Sequence, residues 1–141
     1  MEPTNKKVSL LRIVAATVYD SLLMLGVWFL VGSLALSIKF VFTGEVSSLN
    51  PFVGMSLVIL STWLYFALFW IYGGKTLGMS SWKLRIISQN GNQITLIQTI
   101  IRFLSNIITI SLAGIPLFFR RINKNYRSLS DLLSKTSIIS D

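Results

Sequence analysis

Residues 13–38 read IVAATVYDSLLMLGVWFLVGSLALSI, an apolar run broken by one charge, Asp20. At ~1.5 Å per residue such a helix is about 39 Å long, more than the ~30 Å of hydrocarbon a span must cross. A cleaved secretory leader is the rival reading, because Lys6, Lys7 and Arg12 precede the run. The apolar part of a leader should be only ~7–15 residues long, without a buried acid. The run therefore predicts a membrane helix over about residues 12–40.

Downstream, residues 52–72, FVGMSLVILSTWLYFALFWIY, carry no charge, and Pro51 precedes them at a position where proline suits a helix start. Trp63, Trp70 and Tyr72 are candidate interfacial anchors. These residues predict a second helix over about 51–72. A third apolar run, 103–119, FLSNIITISLAGIPLFF, is shorter and holds Gly114 and Pro116. Extended back to about residue 97, this segment is long enough to span but broken enough to re-enter or lie in the interface. Between the second and third runs, residues 73–96 give a turn and then WKLRII, SQNGNQ and ITL. Asn90-Gly91 is a strong two-residue turn signal, so a β-hairpin is expected there. The basic tail, 120–141, carries a short helix signal after Ser128 and a strand signal at 136–139. The predicted fold class is an α-helical integral membrane protein forming a single domain over 1–141. It has three membrane-embedded helical segments, with a small cytoplasmic β-hairpin between the second and third.

Composition supports this class and narrows the chemistry. Only 13% of the 141 residues are charged and 52% are hydrophobic, where a soluble domain carries about 25% charged residues. Without cysteine there are no disulfides, thiol nucleophiles or Cys-based zinc sites. Without histidine the commonest general base and metal ligand is gone, and five acidic residues leave little for a multi-carboxylate metal site. An enzyme is not expected, nor a cofactor or a metal.

The formal charge of +8 could suggest nucleic acid, but the bases flank apolar runs. Lys6, Lys7 and Arg12 precede the first run, and Lys39 alone lies between the first and second. Lys75, Lys83, Arg85 and Arg102 lie between the second and third, and Arg120, Arg121, Lys124, Arg127 and Lys135 follow. By the positive-inside rule this predicts a multi-pass protein of the cytoplasmic membrane with a cytoplasmic N-terminus. Loop 39–51 then lies outside and 73–102 inside. A full third crossing would put the basic tail outside, against the rule; a re-entrant or interfacial segment keeps it inside. The expected partners are a bilayer with anionic headgroups and further copies of the chain or a larger membrane complex, not nucleic acid.

Asp20 lies about 12 Å deeper than Arg12 and about 80° round the helix, where an unpaired acid is costly. Gln98, Arg102, Asn106 and Thr109 form one polar stripe on the third segment. Packing that stripe on the Arg12–Ala16–Asp20 face would bring Asp20 to Arg102 or Asn106. The pairing serves either an ion or proton relay or a structural ion pair. Asp131 ends a Ser128-Leu-Ser-Asp capping-box pattern. Gly26, Gly32 and Ser33 are candidate close-packing points for another helix.

GGKTLG at 73–78 contains the Gly-Lys-Thr that ends a P-loop. A P-loop also needs a glycine where this chain has Phe69, and a strand where it has an apolar helix, so no nucleotide is expected. The stretch reads as a membrane-exit turn. Gly73 and Gly74 stop the helix, Lys75 faces the helix C-terminus and anionic lipid, Thr76 follows, and Gly78 releases the chain into the hairpin.

Arg12 at the start of the first helix, Asp20 within it, and Asp131 in RSLSDLLSKTSII together resemble the Arg–Asp–Asp signature of the RDD family. The stretch from GGKTLG through SQNGNQ to Arg102 is similar to that family's middle region, and the resemblance covers roughly residues 8–140. It implies an integral membrane protein. For activity it implies transport, with cation/proton exchange in some members, or an accessory role in larger complexes. The expectation is therefore a small cation/proton or solute transport protein acting as an oligomer through Asp20. The alternative is a non-catalytic accessory subunit that docks a partner complex or anionic lipids. Family members often carry histidine just before the C-terminal aspartate; Ser130 stands there here, which removes a proton-handling role built on that histidine.

Overall fold

A computed structural model of the chain describes residues 8–90, 93–112 and 128–141. Two long helices dominate. Helix α1, Leu10–Thr43, has 34 residues, and α2, Pro51–Gly73, has 23. Both are apolar and long enough to cross a membrane, and are the two such helices among the described residues. Leu22, Phe29, Leu34, Phe52 and Leu60 all face outward, which a water-soluble packing would not tolerate along whole helices.

Local chemistry sets the ends. Gly44 closes α1 at φ 68°, and its N–H donates to the Phe40 carbonyl. Asn50 caps α2 by accepting from the Phe52 N–H, with Pro51 at the first turn. Gly74, at φ 65°, ends α2 by donating to the Trp70 carbonyl, so the expected glycine stop is present. The two helices run antiparallel and are tied by a 2.8 Å bond from Trp28 Nε1 to Thr62 Oγ1.

At the end of the helix pair where α1 begins and α2 stops, the chain builds a small compact base. Helix α3, Leu77–Ser81, is followed by strand β1, Leu84–Ser88. Helix α4, Leu96–Ser111, comes next, then the short helix α5, Leu129–Leu133, and strand β2, Thr136–Ser140. Val8, Ile13, Ala16, Trp70, Met79, Leu84, Ile86, Ile94 and Ile138 form the core of this base.

The sheet corrects the expected hairpin. β1 pairs antiparallel with β2, from Leu84↔Ser140 to Ser88↔Thr136, and not with residues 94–96. The competing signal is a helix start. Thr95 Oγ1 accepts from the Gln98 N–H while Gln98 Oε1 accepts from the Thr95 N–H, the reciprocal pattern of a capping box. That claims Thr95 for α4 and leaves β1 to the C-terminal strand. Gly91, in the expected turn, lies outside the described residues. The C-terminal strand signal is realised and reaches Ser140.

Helix α4 is inside-out. Thr99, Arg102, Ser105 and Thr109 are buried, whereas Ile97, Ile100, Leu104, Ile107 and Ile108 are exposed. Its 16 residues give about 24 Å, short of a ~30 Å hydrocarbon core. The rest of the expected third segment, with Gly114 and Pro116, and the basic residues 120–127 lie outside the described residues.

Candidate functional site: two buried charge centres and a cavity

Asp20 is 4% exposed, on the face of α1 that meets the base. Its Oδ2 accepts a 2.5 Å bond from Thr76 Oγ1, and its Oδ1 accepts from the Gly78 N–H at 2.9 Å and from the Tyr65 hydroxyl at 3.4 Å. Thr76 is also the N-cap of α3, its oxygen accepting from the Met79 N–H. Helix α3 has no acidic residue in its first turn. Asp20 therefore supplies from α1 the negative charge that a helix N-terminus favours, and takes up one of its orphan N–H groups. Gly78 makes this approach possible. A Cβ there would lie 2.3 Å from the Ala16 carbonyl oxygen and 2.8 Å from Asp20 Cγ.

The Gly-Lys-Thr turn thus does hold an anion, namely a carboxylate of its own chain. This corrects two expectations. Gly78 belongs to α3 and locks it to α1 instead of releasing the chain. Asp20 meets neither Arg102 nor Asn106, because a helix N-terminus already satisfies it.

Arg102 forms the second centre, 3% exposed. Its Nη1 donates to Asp131 Oδ1 at 2.7 Å and to Thr136 Oγ1 at 2.6 Å. Asp131 sits at the third position of α5, and the capping box expected there is present: its Oδ2 accepts from the Ser128 N–H and its own N–H donates to Ser128 Oγ. Ser134 Oγ gives its proton to the Ser130 carbonyl, so the Thr136 hydroxyl donates to Ser134 Oγ while accepting from Arg102. The guanidinium also lies over the Trp70 ring, with Cζ 5.5 Å from its centroid.

Arg12 is exposed on the first turn of α1, and neither centre includes it. Asn106 is half-buried. Lys75 reaches Asp141 Oδ2 at 2.5 Å, and Arg85 Nε lies 3.4 Å from Asp141 Oδ1. The Lys75 hydrogen bond, with the Arg85 charge, holds the Asp141 carboxyl below the usual carboxylate range, despite slight desolvation.

The two centres sit in matching frames that a comparison of residues 76–88 with 128–140 would have found. TLGMSSWKLRIIS and SLSDLLSKTSIIS share Leu77/Leu129, Lys83/Lys135 and Ile86-Ile87-Ser88/Ile138-Ile139-Ser140. Each begins with a hydroxyl N-cap, makes a one-turn helix, passes through a lysine at φ 52° and enters a strand. Ile86 pairs with Ile138 at the middle of the sheet, so the pairing maps each copy onto the other. α1 brings an acid to the first copy, and α4 brings a base to the second.

A cavity of about 450 Å³ opens between α1, α2 and α4. Its walls are mainly apolar, including Ile13, Val58, Phe66 and Ile107, and Asp20, Trp70, Arg102 and Asn106 also border it. Trp70 Nε1 and Arg102 Nε are buried without a hydrogen-bond partner.

No curated protein and no solved structure matches the chain. The RDD family model matches residues 9–135, a stretch that contains Arg12, Asp20, Arg102 and Asp131, and the chain belongs to the RDD family.

Proposed function

We propose that this RDD-family chain is a solute transport protein of the membrane, and that the solute occupies the cavity between α1, α2 and α4. The observation that carries this reading is the cavity itself, whose volume of about 450 Å³ lies within the ~300–1,000 Å³ typical of small-molecule sites. Of the two branches of the sequence expectation, it favours the solute over the cation or proton. A cation needs free acceptors, and both oxygens of Asp20 are held by Thr76, Gly78 and Tyr65. In this reading Asp20 fixes α3 beneath α1 and shapes the cavity. The outward apolar faces of α1 and α2 suit association with further copies, because two long helices enclose a path only in part.

Proteoliposomes containing the full chain and offered a panel of labelled neutral and charged solutes provide the test. Uptake of one solute class, abolished when Val58→Trp fills the cavity, is the expected result. Uptake that survives Val58→Trp, no uptake of any solute, or cation-driven proton flux lost in folded Asp20→Asn would each overturn it.

A further inference from the structure

We infer that the base is seated in the surface of the bilayer, with Leu77 and Trp82 on one copy of the repeated frame and Leu132 and Leu133 on the other entering the lipid, while Lys83 and Lys135 hold anionic headgroups. This goes beyond the transport reading and does not depend on it.

The level of the base follows from its ties to the two long helices. Helix α3 begins three residues after Gly74 closes α2. Its Gly78 N–H is bound to Asp20, about two turns inside the apolar run that starts at Ile13. Helix α5 is bound through Asp131 to Arg102, whose guanidinium lies over Trp70 in the last turn of α2. Both one-turn helices are thus fixed where α2 leaves its apolar stretch, at the level of the membrane interface.

At that level the base shows apolar side chains. Leu77, Trp82, Leu132 and Leu133 are 42–54% exposed. Single exposed apolar residues are ordinary, but here both copies of the frame expose a pair, each followed closely by an exposed lysine. Lys83 and Lys135 stand at φ 52°, a conformation that glycine adopts at less cost. The turns do not need their side chains, because the two lysine carbonyls accept from the Asp141 and Gln89 N–H groups. Among the described residues the ion pairs take Lys75, Arg85 and Arg102, and neither of these two lysines.

An apolar body flanked by an uncommitted ammonium matches the edge of a bilayer. Leucine and tryptophan enter the acyl boundary, and the lysine stems extend to the phosphates. The surface also continues the outward apolar faces of α1 and α2. Lys75, which sequence position assigns to lipid, is spent on Asp141 instead.

The chain has no cysteine, so single cysteines can carry a bimane label. Trp82→Cys and Leu132→Cys report the two sites. Glu45→Cys, in the exposed loop between α1 and α2, is the aqueous reference, and Phe29→Cys, on the outward face of α1, is the hydrocarbon reference. The full chain is placed in nanodiscs containing acyl-brominated phosphatidylglycerol or phosphatidylcholine at equal mole fraction. Labels at 82 and 132 should be quenched at least about threefold more than the label at 45, and no more than the label at 29. Phosphatidylglycerol should quench them about two- to fivefold more than phosphatidylcholine at low salt, a preference that fades in about 1 M salt. Lys83→Gln should remove the preference at 82 and spare 132; Lys135→Gln should do the reverse. Quenching at either site no stronger than at 45, equal quenching by the two lipids, or a preference that survives both substitutions overturns the inference. Emission that responds to a second chain in the nanodisc and not to brominated lipid assigns the surface to a second copy, and also overturns it.

Discussion

The backbone N–H of Gly78 lies 2.9 Å from Asp20 Oδ1, and no side chain can stand between them. The position is closed by backbone as well, since a Cβ on Gly78 would lie 2.3 Å from the Ala16 carbonyl oxygen. Relief would require α3 to move off α1, weakening the Thr76 and Gly78 bonds together. Gly78→Ala should therefore destabilise the protein by at least about 1–3 kcal/mol, the usual range for overpacking. Thermal unfolding in detergent, followed by size-exclusion fluorescence, measures it. Gly26→Ala is the control, because nothing lies within 4 Å of a Cβ there. Equal melting of both variants would contradict the close approach.

Asp20→Asn separates a structural acid from a relay. The carboxylate accepts from the Thr76 hydroxyl on one oxygen and the Gly78 N–H on the other. An amide has one oxygen, so one of those donors must face an NH2 group. The expected loss is about 1–3 kcal/mol, the cost of a buried group left unsatisfied. A single mutant as stable as the parent would show that the carboxylate does not hold α3.

These centres also mark the limits of what the sequence reveals. Continuous apolarity over 13–38 and 52–72 suffices for α1 and α2, because helix length and uncharged composition are local properties. The Ser128–Asp131 capping box is legible for the same reason. Strand pairing is not local: WKLRII is compatible with a neighbour across Asn90-Gly91, and only the rival Thr95–Gln98 cap excludes it. The partner of Asp20 escapes a sequence reading because a five-residue helix has no apolar period by which to predict it. The stripe on α4 is recognisably polar, yet its buried members include Thr99 and Ser105, while Asn106 is half-buried.

The Arg102–Asp131 pair should behave as a buried ion pair whose halves cannot be removed singly. Its side chains are 3% and 1% exposed. Arg102→Met takes the guanidinium from the buried Asp131, and Asp131→Leu takes the carboxylate from Arg102 and also loses the α5 cap. Each should cost about 3–5 kcal/mol, with the double variant costing clearly less than the sum. A double-mutant cycle on unfolding in detergent reads the coupling. Additive losses would mean that the two groups act independently.

Asp141 predicts a pH dependence confined to the end of the sheet. Lys75 holds its carboxyl below the ordinary value of 3.8, so the charged form is favoured when folded. A group lowered on folding contributes stability that is fully present above its unfolded pKa and is lost as pH falls through the folded one. The contribution should therefore be complete at neutral pH and decline progressively as pH falls below about 4, towards the lowered folded pKa. Hydrogen exchange at 136–141, compared between the parent and Asp141→Asn at each pH, isolates it. Protection should differ at pH 6, and the difference should shrink as pH falls below about 4. A difference that stays constant as pH falls below about 4 would remove the carboxylate as its source.

The matched frames at 76–88 and 128–140 make a paired prediction. Lys83 and Lys135 both stand at φ 52°, exposed, where each copy turns from its one-turn helix into its strand. That region costs an L-residue roughly 1 kcal/mol relative to glycine. Neither lysine side chain makes a bond in either charge centre, and the Lys83 carbonyl keeps its 2.9 Å bond from the Asp141 N–H whatever the side chain. Lys83→Gly and Lys135→Gly should each raise stability by up to about 1 kcal/mol, less glycine's larger unfolded-state entropy. Because the turns are equivalent about the Ile86↔Ile138 pair, the two gains should be similar and additive. A gain at one lysine with a loss at the other would show that the two copies share sequence but not backbone energetics.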